Sequence, residues 1–138
     1  MLIDCEGKSA RWVRAGHDPT LRYDPVHDAF QELKGEGIAL GVSCDWSFEE
    51  YRLDGFSPGE IIVLGTDGVW ETENPNGERF GKARLREIIR DNPSDSPAEM
   101  TERIIKGVQD FHGSAAPEDD ITLVVIKRNA AGESGLGP

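Results

Sequence analysis

The most informative stretch of the sequence is PGEIIVLGTDGVWE, residues 58–71. Its continuous apolar run, Ile61–Leu64, predicts a central strand that is buried on both faces. Pro and Gly just before the run predict a turn. Asp67 and Gly68 follow the strand directly, and loops at strand ends present functional groups from a rigid base. The stretch therefore predicts a buried strand followed either by a functional carboxylate or by an ordinary Asp-Gly turn.

Short segments separated by Gly and Pro lie upstream of this strand, and the chain contains 16 Gly and 8 Pro. Leu2–Cys5 and Ala10–Ala15 flank a Gly-containing turn and predict a β-hairpin. Thr20–Tyr23 and Ala29–Leu33 flank an Asp-Pro turn and predict a second one. Phe48–Phe56 alternates loosely between apolar and polar residues. The first half of the chain is therefore predicted to be mainly β-strand.

The hydrophobic period changes beyond residue 80. Apolar residues at 85, 88 and 89 predict one short amphipathic helix. Ser96–Glu99 is a capping box with Pro at the first helical position, and Gly113 is a typical helix end. Between them, apolar residues recur at helical spacing: Met100, Ile104, Val108 and Phe111. Ile121–Lys127 predicts a closing strand, so the class is α+β.

Composition excludes several functional classes. The 138 residues include 15 Lys and Arg against 26 Asp and Glu, for a net charge of −11, which argues against nucleic acid as a partner. No apolar run is long enough to cross a membrane, and the N-terminus has no signal-peptide pattern. Two cysteines are too few for a disulfide framework and favour a reducing cytoplasm. We expect one domain at residues 1–128 and a flexible tail at 129–138.

A second acidic motif precedes the closing strand, where Glu118, Asp119 and Asp120 are consecutive. Adjacent like charges are costly unless solvent or a cation separates them. If Asp67 and Asp119 lie at the same edge of a sheet, they provide two oxygen ligands for a hard divalent cation such as Mg²⁺ or Mn²⁺. The alternative is a solvated acidic turn.

Other chemistries fit the sequence poorly. No second histidine lies at metal-ligand spacing from His17, which is therefore interpreted as a hydrogen-bonded loop residue. A haloacid-dehalogenase-type phosphatase would need a second Asp two residues after Asp67, and that position is Val69. Neither Asp67 nor Asp119 starts the alternating ligand series of an EF-hand.

Six segments together resemble the PPM-type metal-dependent protein serine/threonine phosphatases, in particular their bacterial SpoIIE/RsbU-like branch. The shared segments are AGHDP (15–19) with Leu21 and Tyr23, LGV (40–42), PGEIIVL (58–64), TDGVWE (66–71), NGE with FG (76–81) and EDDITLVV (118–125). The resemblance covers roughly residues 2 to 127. It implies a β-sandwich with helices packed on its outer faces.

The resemblance also implies a chemistry. Members of the family hydrolyse phosphoserine or phosphothreonine with two Mn²⁺ or Mg²⁺ ions held by aspartates. By position in the shared motifs, Asp67 and Asp119 would be metal ligands, and Asp120 would lie beside them. Gly68 would allow close packing, and Thr122 would orient the loop by hydrogen bonding. The substrates typical of this branch are phosphorylated regulatory proteins such as anti-anti-sigma factors.

One family motif has no counterpart here. The first half of the family domain carries an aspartate followed by Gly, which bridges both metals, and no such motif precedes residue 15. We therefore expect the chain to correspond to the C-terminal part of the domain, without its N-terminal strands and helices. It would then act either as part of a phosphatase or as a catalytically incomplete module that binds a protein. An open sheet edge would also favour self-association.

Overall fold

The computed structural model describes residues 1–4, 6, 8–113 and 120–129. This part of the chain forms seven strands, two α-helices and one 3₁₀ turn. In chain order they are β1 (Leu2–Asp4), β2 (Ser9–Trp12), β3 (Thr20–Asp24), β4 (Ala29–Leu33), β5 (Tyr51–Asp54), β6 (Ile61–Gly65), the 3₁₀ turn (Asp67–Val69), α1 (Gly81–Asp91), α2 (Pro97–His112) and β7 (Leu123–Lys127).

The strands form two antiparallel sheets. One has the order β1-β2-β5, and the other has the order β4-β3-β6-β7. Both predicted hairpins are confirmed, as β1–β2 and β3–β4. The predicted central strand is also confirmed, because β6 lies between β3 and β7, with Ile62 opposite Arg22 and Ile126. Ile61 and Ile62 are only 1% and 0% exposed.

The main core lies between the four-stranded sheet and the helices. Its buried side chains include Leu21, Tyr23, Ile61, Val63, Leu85, Ile89, Met100, Ile104 and Val108. A smaller cluster joins the two sheets, with Ala10 and Leu53 from one sheet and Leu33 from the other. The α+β sandwich predicted from the sequence is therefore confirmed. Within the described residues, both helices contribute to the core of the four-stranded sheet rather than covering both outer faces of the sandwich.

Helix α2 begins as the sequence predicts. The Ser96 hydroxyl accepts the Glu99 amide, and the Glu99 carboxylate accepts the Ser96 amide, which completes the capping box. The hydrogen bond from the Ser96 amide, and after it the contact with the Ser96 side chain, hold the pKa of the Glu99 carboxyl below its usual value. Met100, Ile104 and Val108 are buried along one face of the helix.

Ion pairs hold several elements in place. Glu60, just before β6, is 3% exposed and accepts hydrogen bonds from Nε and Nη2 of Arg22 at 2.8 and 2.7 Å. At the β3–β4 turn, Arg90 of α1 donates to Asp28 at 2.8 Å and lowers the pKa of that carboxyl. The first pair connects β3 to the start of β6, and the second connects α1 to the turn.

Some features differ from the sequence expectation or extend it. Strand β7 begins at Leu123, two residues after the predicted start. Residues 34–50 form neither helix nor strand, and Leu40 and Val42 within them are exposed. Of the predicted tail, only Asn129 is described, so the boundary after residue 128 stays a prediction. Neither helix in the described part has the length and apolar character needed to cross a bilayer.

Candidate functional site

Asp67 lies on the surface where the buried strand β6 ends. The chain turns at this point through the 3₁₀ segment, and the Gly68 amide donates to Asp67 Oδ1 at 3.1 Å. Val69 is completely buried and draws the chain back into the core. Since the residues on both sides are anchored, the exposed Asp67 carboxylate extends from a rigid base.

A hydrogen-bonded clamp is formed by Thr66 with residues 120–122. It continues the antiparallel β6–β7 pairing beyond the last residue of β6 and ahead of the first residue of β7. The Thr66 amide donates to the Thr122 carbonyl at 3.0 Å, and the Thr122 amide donates to Thr66 Oγ1 at 3.1 Å. The Thr66 hydroxyl donates in turn to the Asp120 carbonyl at 3.1 Å. The clamp therefore holds Asp120, the last residue of the second acidic motif, against the residue that precedes Asp67.

Gly68 brings the two segments still closer. A Cβ atom at this position would lie 2.7 Å from the Asp120 carbonyl oxygen and 3.3 Å from its carbon. Neither atom belongs to a flexible side chain, so any larger residue would push residues 120–122 away. The requirement for glycine here is steric, and it arises from a neighbour far away in the sequence.

The structure places some of the predicted site residues and leaves others open. Asp67, Gly68, Asp120 and Thr122 lie together at one edge of the four-stranded sheet. Asp119 lies outside the described residues, so its position relative to Asp67 stays a prediction. Within the described ranges, no group of three or more His, Cys, Asp or Glu residues is arranged to hold a metal ion.

Thr122 takes part in the clamp through its main-chain amide and carbonyl, and its predicted role in orienting the loop stays a prediction. The hydroxyl that joins the two segments belongs to Thr66. The one signal for Thr66 in the sequence is its position immediately before Asp67.

A cleft of about 170 Å³ opens beside Asp67. Thr66 and Asp67 form one wall, and Gly16, His17 and Asp18 form the other. The segment between β2 and β3 therefore faces the end of β6. Sequence reasoning had placed His17 on a loop, and the structure shows that this loop lines the same cleft as Asp67.

The loop at residues 15–19 is held by side chains from several parts of the chain. Arg14 donates through Nε to the His17 carbonyl at 2.7 Å and through Nη1 to the Gly35 carbonyl at 3.3 Å. Lys82, at the start of α1, forms an ion pair with Asp18 at 2.9 Å. Lys82 Nζ also lies 4.6 Å from the centroid of the Trp70 ring. Sequence reasoning left Arg14 unplaced and did not find Lys82, since its partner is 64 residues away.

Close packing reinforces these hydrogen bonds. Gly16 adopts a φ of +85°, and a Cβ atom there would lie 2.9 Å from the Ala39 Cα. The His17 ring adds a contact of its own, because its Nδ1 lies 3.0 Å from the Asp18 carbonyl oxygen. The loop is thus a fixed wall of the cleft.

Comparison with known proteins identifies relatives of this chain. A model of the family described as Stage II sporulation protein E (SpoIIE) matches residues 1–129. Phosphoserine phosphatase RsbU of Bacillus subtilis is 31% identical over 120 residues, which are 85% of this chain and 34% of that protein. Protein IcfG of Synechocystis is 28% identical over 130 residues, which are 93% of this chain and 20% of that protein. The chain thus spans about a third or less of these relatives.

Solved structures share the fold. The SiaA-PP2C domain of Pseudomonas aeruginosa has a TM-score of 0.75 at 23% identity, over 89% of this chain and 48% of that one. The phosphatase domain of SpoIIE from Bacillus subtilis, in an Mn-presoaked crystal, has a TM-score of 0.69 at 17% identity, over 93% and 54%. The chain therefore has the fold of about half of such a domain.

Proposed function

Because this chain belongs to the SpoIIE family, we propose that it provides the part of a metal-dependent phosphatase site that contains Asp67. The reaction would remove phosphate from a serine or threonine of a regulatory protein. The observation that carries the proposal is the exposed Asp67 carboxylate, with Asp120, the last residue of the second acidic motif, held nearby through Thr66. This reaction class is supported by the similarity to phosphoserine phosphatase RsbU and by the fold shared with solved phosphatase domains.

The proposed cofactor is Mn²⁺ or Mg²⁺. Carboxylate oxygens suit these hard cations, which commonly keep several waters when only a few side chains bind them. We assign Asp67 and Asp119 as ligands, with Asp120 beside them. When bound, such a cation would neutralise phosphate charge and activate a water molecule for attack on phosphorus.

The residues of this chain would prepare the site for that chemistry. The clamp and the missing Cβ of Gly68 hold the main chain of residues 120–122 beside Asp67 before any cation arrives. A preorganised main chain reduces the ordering cost of binding. The loop at residues 15–19 closes the opposite side of the cleft, where it would meet the substrate.

The proposed substrate is a phosphorylated regulatory protein of the anti-anti-sigma type, and the proposed location is the cytoplasm. The net charge of −11 favours binding of the substrate's phosphate group at the cation, since an acidic surface would repel phosphate wherever no cation is bound. Self-association through an outer strand is a further part of the proposal, because β4 and β7 form the edges of the four-stranded sheet in the described structure.

The test measures hydrolysis of p-nitrophenyl phosphate and of a phosphoserine peptide by the purified chain, with and without Mn²⁺. Asp67→Asn should remove the Mn²⁺-dependent turnover while circular dichroism stays unchanged. Asp91→Asn is the matched control, because Asp91 is an exposed aspartate at the end of α1. Turnover that persists in Asp67→Asn, or that does not respond to Mn²⁺, would contradict the assignment.

A second candidate function is a module that binds a partner protein without catalysis. The observation behind it is the coverage, because the chain matches only about half of the phosphatase domains that share its fold. Such a module would bind its partner equally well with Mn²⁺ or with a chelator, and equally well as Asp67→Asn. A phosphatase would instead bind the phosphorylated partner more tightly when Mn²⁺ is present.

A further inference from the structure

His17 shares the cleft with Asp67 and is not used by the proposed metal site. We infer that His17 is the general acid that protonates the departing serine oxygen, an inference that rests on the proposed phosphatase function. Three features of the structure support it: the tautomer of the ring, the support of its loop and its place in the cleft.

The hydrogen bond to Asp18 determines which ring nitrogen carries the proton. Nδ1 of His17 lies 3.0 Å from the Asp18 carbonyl oxygen, which can only accept a hydrogen bond. The proton of the neutral ring is therefore on Nδ1, and Nε2 is the nitrogen that takes up and gives away a second proton.

The main chain that carries the ring is held on both sides. Arg14 binds the His17 carbonyl at 2.7 Å, and Lys82 binds the carboxylate of the next residue at 2.9 Å. The His17 side chain is nevertheless exposed and lines the cleft. A ring with a fixed tautomer, on a supported loop that is open to the cleft, can present its Nε2 to a substrate bound there.

His17 would act in the step that breaks the bond between phosphorus and the serine oxygen. Water gives its oxygen to phosphorus, the bond between phosphorus and the serine oxygen breaks, and the electron pair of that bond stays on the serine oxygen. The proton on Nε2 moves to that oxygen, so serine leaves as a neutral hydroxyl. The imidazole then recovers a proton from solvent, which received the one released by the attacking water. Nδ1 keeps its proton throughout.

The test compares two leaving groups. An alkoxide such as that of serine needs a proton to leave, whereas p-nitrophenolate leaves readily without one. General acid catalysis is typically worth about 10²–10⁴-fold. We therefore expect His17→Asn to lower the ratio of phosphoserine-peptide turnover to p-nitrophenyl phosphate turnover by about 10²-fold or more. Asn retains an N–H donor near the Nδ1 position, so the loop contact survives.

The control and the outcomes separate this inference from the function on which it rests. His27→Asn changes a histidine whose side chain is 76% exposed in the β3–β4 turn, and it should leave the ratio unchanged. Equal losses on both substrates would make His17 a structural loop residue and overturn the inference while the phosphatase stands. Absence of Mn²⁺-dependent turnover on both substrates in the unmodified chain would overturn the proposed function, and the acid role with it.

A second readout does not depend on turnover. The chain has three histidines, so their ring proton signals can be followed individually by NMR during a titration with Mn²⁺. The paramagnetic ion should broaden the His17 signals before those of His27, and Asp67→Asn should remove the difference. Broadening that is equal for both rings would contradict the placement of His17 at the reacting centre. Loss of Mn²⁺ binding in His17→Asn would identify the residue as a ligand and overturn the acid role.

Discussion

Replacing Thr66 with Val should weaken the fold and the candidate site together. Valine keeps the shape of threonine but removes the hydroxyl, which donates to the Asp120 carbonyl and accepts the Thr122 amide, both at 3.1 Å. Each such hydrogen bond contributes about 0.5–1.5 kcal/mol, and solvent competes for these exposed groups. We therefore expect the free energy of unfolding to fall by about 1–2 kcal/mol.

The same substitution should lower the affinity for Mn²⁺ if the proposed metal site is correct. Without the hydroxyl, residues 120–122 are held by fewer contacts, and cation binding must order them again. If the whole of about 1–2 kcal/mol is recovered on binding, the dissociation constant rises by about 5–30-fold. Urea denaturation followed by tryptophan fluorescence measures the stability, and calorimetric titration measures the affinity.

Thr66→Ser is the matched control, because it keeps the hydroxyl and removes only a methyl group. It should retain most of the stability and nearly all of the Mn²⁺ affinity. If Thr66→Val and Thr66→Ser unfold within about 0.3 kcal/mol of each other, the two hydrogen bonds contribute less than typical ones, and the clamp argument is wrong. Equal Mn²⁺ affinities would separate the clamp from metal binding.

Two further predictions concern the scaffold. Glu60→Gln should lower the free energy of unfolding by about 3 kcal/mol, since it leaves the Arg22 guanidinium, whose side chain is 17% exposed, without its anion. Glu50→Gln, in an exposed pair, should cost less than about 1 kcal/mol in the same urea experiment. The pKa of Glu99 is lower in the folded state than in the unfolded state, so its charge stabilises the fold at any pH above the unfolded-state pKa. This stabilisation is lost as the pH falls through the folded-state pKa. Glu99→Gln should therefore lose less stability than the unmodified chain between neutral and acidic pH, and equal losses in a pH series of thermal unfolding would contradict this.

Features that depend on neighbouring residues were predictable from the sequence. The apolar run at Ile61–Leu64 predicted the central strand, and the capping box at Ser96–Glu99 predicted the start of α2. Both hairpins followed from their turn residues. Periodicity, turn chemistry and capping act over a few residues, so they can be recognised before any tertiary contact is known.

The arrangement of the candidate site needed more than these local signals. The sequence placed Asp67, Gly68 and Asp120 in motifs shared with one family. Their spacing did not reveal that a Cβ at position 68 would lie 2.7 Å from the Asp120 carbonyl oxygen, which makes Gly68 necessary. It also gave no sign that Lys82 would hold Asp18, and the position of Thr66 beside Asp67 did not by itself reveal the clamp.

The sequence alone thus determined the strands, the helices, the family and the residues with suitable chemistry. Only the tertiary structure decided that His17 and Asp67 face one another across a cleft, and that Lys82 reaches a loop 64 residues away. The physical reason is the range of the interactions. Local preferences depend on adjacent residues, whereas the cleft forms where separate segments meet, and their meeting depends on sheet order, strand register and side-chain packing across the whole chain.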